Sequence, residues 1–176
     1  MRKNVKILKV ACSLCVAIMF FWSFTHLDAN AYVKNGYALS NPGSVTYRVS
    51  TTVGPYISDT ITYVQKWRDY CTEIGGMTQV DANENIYFYG DLNVNNGNYA
   101  VCYHHSNDSH VITYYNLFAT TESAYRYETI VHEVGHALGL AHCEAGKESS
   151  SVMRALDFNR KAYPLSDDIK GISAIY

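Results

Sequence analysis

The eleven residues His132-Glu133-Val134-Gly135-His136-Ala137-Leu138-Gly139-Leu140-Ala141-His142 constrain this chain more than any other feature. His132 and His136 are one helical turn apart, so on an α-helix both imidazoles project from one face. Two such rings can chelate a single metal ion. Gly139, three positions after His136, suits the left-handed conformation that ends a helix. The chain then turns back and can bring His142 to the same ion. Three neutral histidines leave a fourth position for water, which marks a catalytic zinc rather than a closed structural one. Glu133 sits beside the first ligand, placed to take a proton from that water and pass it to a leaving nitrogen. A solvated helix face with coincidental histidines is the alternative. From ordinary residue frequencies, the full pattern arises by chance in a chain this long with a probability of about 10⁻⁵.

The N-terminus bears on compartment. Arg2, Lys3, Lys6 and Lys9 precede an apolar run, residues 10–24, and Ala29-Asn30-Ala31 follows. A basic head, a short apolar stretch and a small-x-small site describe a signal peptide over residues 1–31. The run is shorter than the roughly 20 apolar residues of a spanning helix. The expectation is cleavage after Ala31, a secreted, extracellular protein, no stable membrane anchor, and one domain over residues 32–176. Residues 1–31 contain four of the 14 Lys/Arg and one of the 16 Asp/Glu, so the mature net charge is −5 against −2 for the whole chain. That balance argues against a nucleic-acid partner. The leader also removes Cys12 and Cys15. Cys71, Cys102 and Cys143 remain, enough for one disulfide and one thiol, with the pairing open.

Along the mature chain, residues 32–43 carry turn signals and predict an irregular lead-in. Val45–Val49 alternates and predicts a strand. Ile57, Ile61, Val64 and Trp67 or Arg68 predict a helix from Ile57 to Ile74, ended by Gly75-Gly76. Strands are expected at Asn85–Tyr89, Tyr99–His104 and Val111–Tyr115. A long helix is expected from Thr121 to Leu140, capped by Thr120 or Thr121 with Glu122 in its first turn. A final helix is expected at Ser166–Tyr176. Strands before the motif and helices around it give an α+β class.

The motif is the metzincin consensus HExxHxxGxxH, and the sequence resembles that family of zinc endopeptidases. Ser151-Val152-Met153, shortly after His142, is similar to the metzincin methionine turn, with Met153 under the metal. The matrixin branch is the nearest match. Ala155 stands where astacins and serralysins carry a tyrosine, and Tyr163-Pro164-Leu165-Ser166-Asp167-Asp168-Ile169-Lys170-Gly171-Ile172 resembles the matrixin ending. The resemblance implies a metzincin-like catalytic domain: a twisted mixed β-sheet, a long active-site helix and a C-terminal helix. It implies a zinc metalloendopeptidase with one catalytic Zn²⁺ on His132, His136 and His142, Glu133 as general base, a protein or peptide substrate, and a monomer.

Departures from the family pattern matter as well. Cys143-Glu144 follows the third histidine, where matrixins carry a small residue, and a structural or disulfide role for Cys143 is expected over metal ligation. Only about 13 residues separate the expected cleavage site from the first strand, so the cysteine-switch latency of matrixins is not expected here. His104, His105, Asp108 and His110 are a loose cluster where some matrixins hold a second zinc, but at a different spacing. Asp91, Asn93, Asn95 and Asn96 offer oxygens for Ca²⁺ without the spacing or glutamate of a calcium loop. Tyr99–His104 is the candidate edge strand for an extended peptide. Leu156, Phe158 and Tyr163 are candidates for an apolar specificity pocket. Two alternatives are a zinc hydrolase of a non-peptide amide or ester, and a non-catalytic zinc-stabilised binding module. A purely structural site has no use for the Glu133 carboxylate.

Overall fold

Strand β1 (Val45–Val49) turns Val45 and Tyr47 into the core and leaves Thr46 and Arg48 at the opposite face, as the period of two requires. It is one of five strands in a computed structural model that describes residues 32–176. The expected signal peptide lies outside the described residues. The others are β2 (Met77–Gln79), β3 (Ile86–Gly90), β4 (Ala100–Ser106) and β5 (Ser109–Tyr114), in the order β2-β1-β3-β5-β4. β1 pairs in parallel with β2 and β3, and β3 in parallel with β5; among the described residues only β4, at one edge of the sheet, runs antiparallel to its neighbour. The mixed sheet and its helices give the α+β class expected from the sequence.

The first helical stretch is shorter than its periodicity predicts. A 3-10 segment, Thr51–Tyr56, leads into α1 (Ile57–Val64), and α2 (Lys66–Tyr70) follows across Gln65. Cys71 then turns extended, at φ −119° and ψ 118°, so the helix ends at Tyr70, four residues before the expected stop at Ile74. The early exit buries Ile74 and lays Gly75 on Gly43, where an added Cβ would stand 2.7 Å from the Gly43 carbonyl oxygen. Strand β2 starts from that contact.

Helix α3 (Asn116–Thr120) precedes the long helix α4 (Ser123–Ala137), and α5 (Ser166–Ile175) closes the fold. α4 starts later than expected and is not capped by Thr120 or Thr121. The Thr120 hydroxyl donates back to the Asn116 carbonyl, inside α3, and Glu122 takes the cap position of α4 with its backbone carbonyl alone. The core lies between the sheet and α4, built on Trp67, Phe88, Ile112, Tyr114, Phe118, Ile130 and Val134. Fully burying a side chain of this class contributes about 1.5–3 kcal/mol. α4 packs on α1 on one side and along β4 on the other.

The lead-in is irregular, as expected, and also clamps the end of α4. Lys34 bridges to Leu140, the Asn35 N–H donates to the Gly139 carbonyl at 2.9 Å, and the Ala141 N–H donates to Val33 at 2.7 Å. Among the described residues, no helix is long and apolar enough to cross a membrane.

Candidate active site

α4 presents His132 and His136 to the cleft and ends in a left-handed turn. Gly139 has φ +101°; its N–H donates to the His136 carbonyl and the Leu140 N–H to the Gly135 carbonyl, both at 3.0 Å. That pair of bonds is a Schellman termination, which needs a residue without a Cβ at this place. The backbone reverses and brings His142 against the helix. The ring centroid of His142 stands 5.3 Å from that of His132 and 4.9 Å from that of His136. One ligand atom from each of the three rings lies within 4.8 Å of the others.

The tautomers follow from the neighbours. His132 Nδ1 donates to the Val152 carbonyl and His136 Nδ1 to the Leu140 carbonyl, each at 2.8 Å, because a carbonyl can only accept. Both Nε2 atoms therefore carry bare lone pairs, and they face each other at 3.1 Å. Neither can donate to the other. A shared cation relieves that repulsion, so the donor set fits a metal ion of the zinc class. Burial pushes His132 down to about 4 and also lowers His136 and His142, which keeps the rings neutral and able to ligate.

Three elements hold this arrangement. The Asn35 amide donates to the His136 carbonyl at 2.8 Å and to the Leu140 carbonyl at 3.2 Å. Asp168 of α5 accepts from the Val152 N–H at 2.8 Å and the Leu165 N–H at 2.7 Å, and Ser151 donates its hydroxyl to the same carboxylate. Met153 is buried beneath α4, where Gly135 makes room for it: a Cβ there would stand 2.4 Å from the Met153 sulfur and 2.8 Å from Trp67 Cζ2. The turn expected at Ser151–Met153 thus lies under the histidines.

Glu133 is buried beside them, and burial pushes its carboxyl up to about 8 although the Cys102 backbone N–H donates to it. With His132, His136 and His142 it borders a cleft of about 600 Å³ between α4 and β4. Leu156 and Phe158 line this cleft, as do Tyr99 and Thr129. Tyr163 does not; it stacks on Tyr70, ring centroids 5.3 Å apart.

The structure bears on two points that the sequence left open. Cys71, Cys102 and Cys143 are all free thiols, so no disulfide forms among them. The Cys143 N–H donates to the Met153 carbonyl at 2.7 Å and its thiol meets Ser151, a structural placement. The second cluster does not converge as a foursome. Asp108 accepts from the Ser40 N–H at 2.7 Å and its hydroxyl at 2.6 Å, and strand alternation turns His105 to the exposed side.

The family model described as Matrixin matches residues 57–176, more than half of the chain. This chain is a matrixin. No curated protein sequence matches it. The fold of this matrixin is similar to two solved structures, "Structure of myroilysin" and "Crystal structure of myroilysin". The first is 14% identical with a TM-score of 0.61, covering 82% of this chain and 98% of the other. The second is 15% identical with a TM-score of 0.54, covering 86% and 96%. At that identity the likeness concerns the fold. Family membership makes the matrixin a zinc metalloprotease and implies a catalytic zinc.

Proposed function

We propose that this matrixin is a secreted endopeptidase in which His132, His136 and His142 hold the catalytic zinc and Glu133 is the general base. One observation carries the assignment: two bare Nε2 lone pairs meet at 3.1 Å, with a third imidazole and a buried carboxylate alongside. When bound, zinc supplies a Lewis acid that acidifies water and polarises a carbonyl. Glu133 takes the proton at a carboxylate oxygen and returns it to the leaving nitrogen, and its depth in the cleft keeps the proton from bulk water. A bound cation would favour the ionised form of Glu133, opposing the effect of burial.

Among the described residues β4 pairs only with β5, and its outer edge offers backbone groups to an extended peptide. Leu156 and Phe158 form an apolar wall for one substrate side chain. Export rests on residues 1–31, with cleavage after Ala31; the new first residue, Tyr32, packs over Gly171 of α5.

The test is mass-spectrometric mapping of cleavage in a proteome-derived peptide library, with and without chelator. Chelator-sensitive internal cleavage is expected, and Glu133→Ala at matched zinc occupancy should cut about 10²–10⁴-fold more slowly. Equal rates in Glu133→Ala overturn the base assignment, and full zinc retention in His142→Ala overturns the ligand set. N-terminal sequencing of exported protein should begin at Tyr32; a chain retaining residues 10–24 overturns the leader.

A further inference from the structure

The cleft contains a charged group that the zinc chemistry does not use. Glu128 and Thr129 border it one turn before His132 and Glu133 on α4, and Arg154 borders it from the segment after Met153. Arg48, Arg68 and Arg160 each pair with an acid, and Arg126 donates to the Thr121 carbonyl. Among the described arginines only Arg154 does neither. It is half-buried, and its Nε is shut off from solvent with no hydrogen-bond partner. A guanidinium carries five N–H donors and no acceptor, so a buried fork in that state costs free energy until an acceptor arrives.

Glu128 does not supply one. Its carboxylate, 2% exposed, accepts the Asn159 N–H at 3.0 Å on both oxygens and the Arg160 N–H at 2.6 Å, and forms no ion pair with Arg154. Asp157 also borders the cleft, but it is exposed, where water screens its charge. This part of the cleft therefore sets an unmet donor beside a satisfied acceptor. Its remaining wall is apolar: Phe158 stands between Tyr99 and Tyr125, ring centroids 4.9 and 4.8 Å away. Rings in contact exclude water, and a charge pair is stronger in a drier place.

Building on the endopeptidase reading, we propose that Arg154 determines specificity by selecting a glutamate side chain on the residue that supplies the leaving nitrogen. A carboxylate gives the guanidinium fork a bidentate acceptor. The two methylenes of glutamate suit the apolar wall at Phe158; aspartate, one methylene shorter, ranks second. Lysine and arginine meet Arg154 as like charges and are rejected. The position follows from the proton path. Glu133 returns its proton to the leaving nitrogen, so that half of the substrate continues past Glu133 toward Thr129 and Glu128 on the preceding turn of α4.

Two matched peptides isolate the charge, one with Glu directly after the cut bond and one with its neutral isostere Gln. The zinc-loaded, full exported chain should cut the Glu peptide with a kcat/KM about 10–100-fold higher, the ratio that one hydrogen bond to a charged group supplies. Arg154→Gln should bring that ratio close to one, and Arg154→Lys should keep part of it. Arg154→Glu should prefer a Lys peptide over the Gln peptide. Loss of fold or of zinc slows both peptides alike and leaves the ratio where it was. A wild-type ratio near one overturns the proposal, as does a ratio that survives in Arg154→Gln. Cleavage of neither peptide bears on the endopeptidase reading instead, and the affinities of the same protein for the two peptides, by fluorescence anisotropy, then decide. Binding about tenfold tighter for Glu than for Gln, lost in Arg154→Gln, supports the role of Arg154, and equal affinities overturn it.

Discussion

The Asp168 carboxylate accepts the Val152 backbone N–H at 2.8 Å, and the carbonyl of Val152 accepts the Nδ1–H of His132 at the same distance. A side chain of α5 therefore orients an imidazole of α4 through one intervening residue. Asp168→Ala leaves the Val152 and Leu165 N–H groups and the Ser151 hydroxyl without their acceptor in a buried place. The expected loss of stability is about 2–4 kcal/mol. Zinc affinity should fall about 10–100-fold, as for other groups that orient a metal-binding histidine. Urea midpoints and competition with a chromophoric chelator measure the two effects. Wild-type zinc affinity in Asp168→Ala would show that His132 needs no such support.

Gly139→Ala should damage both the fold and metal retention. Its φ of +101° is unfavourable for any residue with a Cβ, and that Cβ would stand 2.4 Å from the Tyr37 carbonyl oxygen. Strain and clash together should cost about 2 kcal/mol or more. Because the turn delivers His142, zinc content should fall even where the protein remains folded. Elemental analysis of folded Gly139→Ala checks this, and full occupancy contradicts it.

Gly135→Ala sets two effects against each other. Alanine is favoured over glycine within a helix by about 1 kcal/mol. Here its methyl meets Met153 and the Trp67 ring, whose indole N–H is held by the Val131 carbonyl at 2.9 Å. Overpacking of this kind costs about 1–3 kcal/mol. A net destabilisation of up to about 2 kcal/mol is expected in thermal or urea unfolding. A stabilised variant would mean that Met153 yields freely.

Cys71 gives a pH dependence. Burial pushes its thiol up to about 12 from an ordinary value of 9.0. Below pH 9 the thiol is neutral in both states. As pH rises from 9 toward 12, the unfolded chain ionises while the folded one does not. Stability is therefore lost in that window, at up to about 1.4 kcal/mol per pH unit. Between pH 8 and 10.5 the wild type should lose about 2 kcal/mol more than Cys71→Ala in urea unfolding. Parallel losses in the two proteins would sink the assignment.

The spacing of three histidines, one glutamate and one glycine made the centre legible, because a helical turn and a left-handed stop have fixed sequence periods. Met153 was legible through the family pattern alone; its packing against Gly135 follows from how α4 lies over the turn. β2 escaped notice because it has three residues, two of them exposed, too few for alternation to show. The exit of the first helical stretch at Cys71 is set by the Gly43–Gly75 contact, a tertiary event invisible in the local pattern. The nearness of Cys102, His104 and His110, with one donor atom of each within 4.8 Å of the others, went unread for a different reason. Cross-strand register brings it together, and sequence proximity instead suggested His105, which points the other way, and Asp108, which Ser40 occupies.

The clamp of residues 33–35 on residues 139–141 has a consequence in time. The His132–His136 pair is complete once a single helix has formed, a local event. The turn at Gly139 swings His142 toward that pair, but the turn is locked only when residues 33–35, distant in sequence, have docked on it, and such long-range closures form late because their loop entropy is met before any contact rewards it. A partly folded molecule would grip the ion with two imidazoles rather than three. Full activity then arrives together with the finished fold, and nascent or half-unfolded copies have little means of digesting one another.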